Sequence, residues 1–185
     1  MTGGRRSAAA LPAALALAGC AAVAPGSPPH AASAATTPIS GRLALQLDAQ
    51  PGRSAQAFSA SFELRGNGDD GELRLSTPLG TTLAVAHWGA GDARLVTPHG
   101  EQRFEDLEAL SLQAFGEALP LRALPDWLQG RPWPAAAEPA RPRSDGPGFE
   151  QLVWAIDLAR FDSGQWQAWR AAPPAARLRV QLDPR

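Results

Sequence analysis

The chain has 185 residues and a formal net charge of −1 at pH 7, which excludes the strong basic field that steers a protein onto nucleic acid or an anionic surface. Its 17 basic residues are all arginine, a compositional bias of the source that says little about partners. A single cysteine leaves nothing for a disulfide, so the fold must be held by packing.

The chain opens with Arg5 and Arg6, an apolar run of eleven residues from Ala8 to Ala18, and then Gly19-Cys20. A charged start, a short apolar stretch and small residues before the cysteine form an export signal. The run is too short for a bilayer span, which takes about 20 residues. Leu17-Ala18-Gly19-Cys20 resembles a lipobox, which predicts cleavage before Cys20 and diacylglycerol on its sulfur; an ordinary Ala-rich secretory signal is the alternative. Several acyl chains anchor stably where one is marginal, at about 0.8 kcal/mol per buried methylene. By analogy with lipoprotein sorting, Ala21 rather than Asp after the cysteine favours the outer membrane. Residues Ala21 to Thr37 are almost entirely Ala, Pro, Gly, Ser and Thr, the composition of a flexible tether. The expected organisation is a signal peptide over 1–19, an acylated N-terminus and tether over 20–38, and one domain over 39–185.

Within that domain apolar residues alternate with period two. Leu43, Leu45 and Leu47 share one face, as do Phe58, Ala60, Phe62 and Leu64, then Leu73 and Leu75, then Leu83 and Val85. Turn-forming segments separate these runs, among them Gln50-Pro51-Gly52, Gly66 to Gly71, Pro78-Leu79-Gly80 and Gly89 to Asp92. A further pair, Ala93 to Thr97 and Gln102 to Phe104, flanks Pro98-His99-Gly100. Short strands at hairpin spacing predict an antiparallel meander rather than βαβ units.

Two helical segments follow. Leu107, Leu110 and Ala114 are spaced for a helix face, with Glu105-Asp106 at its positive end and Gly116 at the far end. Leu121, Leu124 and Leu128 repeat the spacing, though Pro125 shortens or shifts that helix. Both are expected to cover one face of the sheet. Arg131 to Pro147 reads as a Pro-rich loop, and Phe149 to Leu158 and Arg177 to Asp183 as closing strands.

Catalytic chemistry is not visible. Gly66 to Gly71 matches G-x-G-x-x-G, but a strand follows where a dinucleotide site needs a helix N-terminus, so a hairpin turn is the reading. Calcium-loop spacing is missing there as well. His30, His87 and His99 lack metal-ligand spacing, and there is no G-x-S-x-G elbow. The unusual feature is Leu79, at a hairpin tip where polar residues or glycine normally sit. It is either folded back on the body or presented to something apolar outside.

Taken together, the lipobox, Gly41-Arg42-Leu43, Phe62-Glu63-Leu64, Gly71 to Leu75, Pro78-Leu79-Gly80-Thr81-Thr82, Phe115-Gly116, Leu119-Pro120-Leu121 and Asp126 to Pro132 resemble the LolB family of outer-membrane lipoprotein receptors. The resemblance implies a mainly β (α+β) fold: an incomplete antiparallel β-barrel, a curved sheet with short helices as a lid over an apolar cavity. It implies a monomeric, non-enzymatic protein without cofactor or metal, anchored in the outer membrane and facing the periplasm. Its implied partners are a LolA-like periplasmic carrier, cargo lipoproteins with their acyl chains, and the outer membrane, with no nucleic acid. Cargo would be accepted from the carrier and inserted without ATP. Pro78, Leu79 and Gly80 would form the membrane-insertion loop. Phe58, Phe62, Leu64, Leu73, Leu75, Leu83, Val85, Trp127 and Leu128 would line the acyl-chain cavity. A structural envelope lipoprotein with a filled core is the alternative. Two departures from the family pattern stand out. His30 to Pro38 has no amphipathic period where a helix usually precedes the first strand. Beyond Trp154 to Leu158 only one clear strand is visible, which leaves the far part of the sheet short.

Overall fold

The computed structural model describes residues 37–184. Cys20, the signal segment and the tether up to residue 36 lie outside the described residues, as does nearly all of His30 to Pro38. Strands β1 (Ile39–Leu47), β2 (Gln56–Gly66), β3 (Gly71–Ser76), β4 (Thr82–Gly89), β5 (Asp92–Thr97) and β6 (Gly100–Phe104) come first. Helices α1 (Leu107–Phe115) and α2 (Leu124–Trp127) follow, then β7 (Arg141–Pro142), β8 (Gly148–Gln151), β9 (Trp154–Asp157), β10 (Gln165–Arg170) and β11 (Ala176–Leu182). All eleven strands form one antiparallel sheet in the order β6-β5-β4-β3-β2-β1-β11-β10-β9-β8-β7. The two end strands stay unpaired with each other, so the curved sheet does not close into a barrel.

The period-two runs become strands with one buried face because alternate side chains point to opposite sides. Leu64 opposes Leu73 and Phe62 opposes Leu75, and all four are buried. At the turn between β2 and β3, Asn67 Oδ1 accepts the N–H groups of Asp69 and Asp70 at 2.7 and 3.1 Å. The glycine-rich segment is therefore a hairpin turn. Gly71 is required there, since a Cβ would lie 2.5 Å from the Trp88 ring.

Period two fails in β4. The β3–β4 register shifts, with Ser76 opposite Thr82 but Leu75 opposite Ala84, so Leu83 is an extra residue in a bulge. Ala84 and Ala86 consequently share the inner face with Leu75 and Leu73. Val85 opposes Arg74 and Val96 on the other face. The expectation that Leu83 and Val85 share a face is corrected by that one inserted residue.

The C-terminal part holds more strand than expected. Phe149 to Leu158 is a hairpin, β8 and β9, turned by Leu152 and Val153. Phe161 to Trp169 contains one 3-10 turn (Phe161–Ser163) and then β10. The Pro-rich loop contributes the short edge strand β7, where a proline is tolerated because its missing donor faces no partner. Arg143 fastens this loop: it contacts Asp145 at 2.7 Å and Asp157 at 3.3 Å and lies 4.7 Å from the Trp169 ring centroid. The hydrogen bond from Arg143 holds the Asp145 carboxyl below its ordinary value.

Candidate functional site

Between the inner face of the sheet and the segment carrying the helices lies a cavity of about 620 Å³, inside the range of small-molecule sites. Phe58, Phe62, Leu73, Leu75 and Leu83 line it from the sheet, and Trp127 and Leu128 from the helical side. Leu64, 1 % exposed, is packed into the core and does not line it, and Val85 faces away. The sequence missed Leu110, Phe115, Leu119, Leu121 and Leu124 from the helical segment, and Trp154, Leu178 and Val180 from the C-terminal strands. The helical period held the signal for Leu110 and Leu124. For Trp154 there was none, because its strand was read as part of a longer one. Among the described residues, Gln56 and Thr97 are the polar ones that line the cavity, and no charged side chain lines it. Such a surface suits an apolar ligand, whose burial is worth about 25 cal/mol per Å².

The helical side is fixed by its own sequence. Asp106 caps α1 by accepting the Ala109 N–H at 2.8 Å, and Gly116 ends it in the left-handed conformation at φ 71°. The buried Ser111 hydroxyl donates to Glu108 O and accepts the Leu119 N–H, both at 2.9 Å, folding the chain back after the helix. Just beyond α1, the Glu117 carboxylate accepts from Gln50 at 2.6 Å and from Arg170 at 3.4 Å. Arg53 lies 3.8 Å from Glu117 and donates to Gly116 O. The α2 end is held by Gln151, whose Oε1 accepts the Trp127 indole N–H and the Trp133 N–H, each at 2.9 Å. Its amide donates to Trp133 O at 2.9 Å.

The Pro78-Leu79-Gly80 turn stands at one end of the sheet. Thr77 N–H donates to Thr81 O and Gly80 N–H to Thr77 O, both at 2.9 Å, and Gly80 takes φ 87°. These bonds fix a compact tip whose Leu79 side chain is 96 % exposed. Of the two placements open in the sequence, the side chain takes the outward one. Two residues past Thr81, Leu83 already lines the cavity.

The family model "Outer membrane lipoprotein LolB" matches residues 37–182. An outer-membrane lipoprotein LolB from Ralstonia nicotianae is 35% identical, covering 90% of each chain. Another, from Bordetella petrii, is 36% identical over 79% of this chain and 74% of its own. A third, from Chromobacterium violaceum, is 35% identical over 80% and 78%. Matched by the family model along nearly its whole described length and by these relatives over most of the chain, the chain belongs to the LolB family of outer-membrane lipoproteins.

Proposed function

We propose that this protein is an outer-membrane-anchored receptor in lipoprotein localisation. It accepts lipoproteins from a LolA-like periplasmic carrier and passes them into the outer membrane by transfer of their acyl chains. The observation that carries this reading is an apolar cavity without charged lining, directly joined by β4 to a hairpin tip bearing a fully exposed leucine. Helices α1 and α2 act as the lid. The cavity takes the acyl chains, and the Pro78-Leu79-Gly80 tip contacts the bilayer while Cys20, lipidated, keeps the domain at its destination. Transfer needs no ATP, because cargo moves down a series of affinities from carrier to receptor to bilayer. No covalent step is involved, and neither cofactor nor metal is required.

A structural lipoprotein with a filled core is the competing reading, and the 620 Å³ of space under the helices speaks against it. The Leu79→Glu variant tests the proposal. It is expected to fold with unchanged melting temperature, because the wild-type side chain touches almost nothing, yet to fail in restoring lipoprotein delivery to a strain depleted of the protein. Full restoration by that variant overturns the insertion-loop role.

A further inference from the structure

The β8–β9 turn is built from the wrong residues for its shape. Leu152 and Val153 are the two central residues of a two-residue hairpin and take φ 52° and 62°. That is the geometry normally given to Asn-Gly, and a β-branched residue there is a genuine outlier. Leu152 packs on the core, whereas Val153 is 77 % exposed. Backbone strain of this kind persists where the surrounding structure or a function maintains it.

The register places this tip. Ser76 opposes Ser61, and β2 runs from there to Gln56, which opposes Leu47; Leu47 opposes Ala176, and Ala176 opposes Arg170. Trp169 opposes Ala155 in turn, so Val153 and Leu79 project from the same end of the sheet. Five strand-to-strand steps separate β3 from β9, about 24 Å along the sheet at about 4.8 Å per step. The hairpin turns at this end, 48–55, 77–81, 98–99, 152–153 and 171–175, contain one carboxylate, Asp48. The hairpin turns at the opposite end contain four, Asp69, Asp70, Asp145 and Asp162. Leu79 and Val153 are two of the three large hydrophobic side chains exposed among the described residues.

We infer that Val153 is a second bilayer contact, and that Leu79 and Val153 together seat this rim of the sheet on the membrane at two points. The inference rests on the proposed function and extends it. The occupant is the lipid phase: a protein partner needs a contiguous patch of about 800 Å², whereas a fluid apolar phase accepts two separate protrusions with the 48–55 and 171–175 turns between them. Among the hairpin turns, carboxylates, which an anionic leaflet repels, are concentrated at the far end; Glu117, which reaches the near end, is paired there with Arg53 and Arg170.

The test uses the mature lipoprotein reconstituted in vesicles of phosphatidylethanolamine and phosphatidylglycerol, where acylation leaves Cys20 without a free thiol. Single cysteines at Leu79→Cys, Val153→Cys and, at the opposite end, Asp69→Cys carry an environment-sensitive fluorophore. Nitroxide-labelled lipids are expected to quench residues 79 and 153, with residue 69 staying aqueous. Quenching at 79 alone overturns the second contact and leaves the proposed function standing; quenching at neither overturns both. Quenching at 153 alone keeps that contact and overturns the role of the Leu79 loop. A second variant, Val153→Gly, separates structure from contact: glycine relieves the positive φ, so the melting temperature is expected to rise while lipoprotein insertion falls several-fold. A rise in melting temperature with unchanged insertion makes the side chain a structural accident and overturns the inference.

Discussion

Gln151, only 5 % exposed, holds three polar groups: the buried Trp127 indole N–H and both backbone groups of the half-buried Trp133. Removing a partner from a buried group costs about 1 to 3 kcal/mol, more than making the bond returns. Gln151→Leu is therefore expected to lower stability by about 2 to 4 kcal/mol in urea unfolding, and a loss below half a kcal/mol would show that the helical side does not depend on it. Nothing in the sequence marked this residue, because its partners lie 18 and 24 positions away. His87 makes a different prediction at the same scale. Burial lowers its pKa from the ordinary 6.5, and Glu72, 3.5 Å away, only partly offsets that. The folded protein thus binds the proton more weakly than the unfolded chain. Stability is expected to be intact above pH 6.5 and to decline as pH falls through the depressed folded value. His87→Gln should flatten that part of a melting-temperature profile between pH 7 and 5, and an unchanged slope would assign it to other groups.

Among the elements, α1 was the most legible, since its caps are local: Asp106 and Gly116 stand where the sequence pattern puts them. Asp106→Ala is expected to cost about 1 kcal/mol, the usual worth of an N-cap, with faster amide exchange in the first turn. What fastens the far end was not legible. Glu117 draws on Gln50, Arg53 and Arg170, brought together only by the closed packing of two hairpins and the helix end. Elsewhere the sequence misled for a physical reason. A hairpin normally announces itself with Asn, Gly or Asp, and Leu152-Val153 announces nothing, so two strands looked like one. The bulge at Leu83 was equally silent: one inserted residue reverses every later side chain of a strand, which moved Val85 away from the cavity and put Ala84 and Ala86 in its place.

At the scale of the whole molecule, β1 joins the two halves of the sheet, pairing with β2 on one side and β11 on the other. The inner face then continues across strands distant in sequence, and its apolar residues divide between solid core and cavity. Alternation reveals which side chains point inward, but not which of them border a cavity: Leu64 is packed wholly into core while Phe62, two residues earlier and also buried, lines the cavity. That distinction is testable by filling. Ala84 lines the cavity on the inner face opposite Leu75, so Ala84→Phe directs a ring into the space. In a solid core such overpacking costs about 1 to 3 kcal/mol. Here the 620 Å³ available should absorb it, leaving stability within about 1 kcal/mol of wild type or above it, since filling a cavity stabilises. Acceptance of lipoprotein from the carrier should meanwhile fall about tenfold, a 1.4 kcal/mol weakening of acyl-chain binding. Unfolding curves and carrier-to-receptor transfer, measured on the same variant, separate the cases. Lost stability would mean that the space is not there, and intact transfer would mean that the acyl chains are held elsewhere.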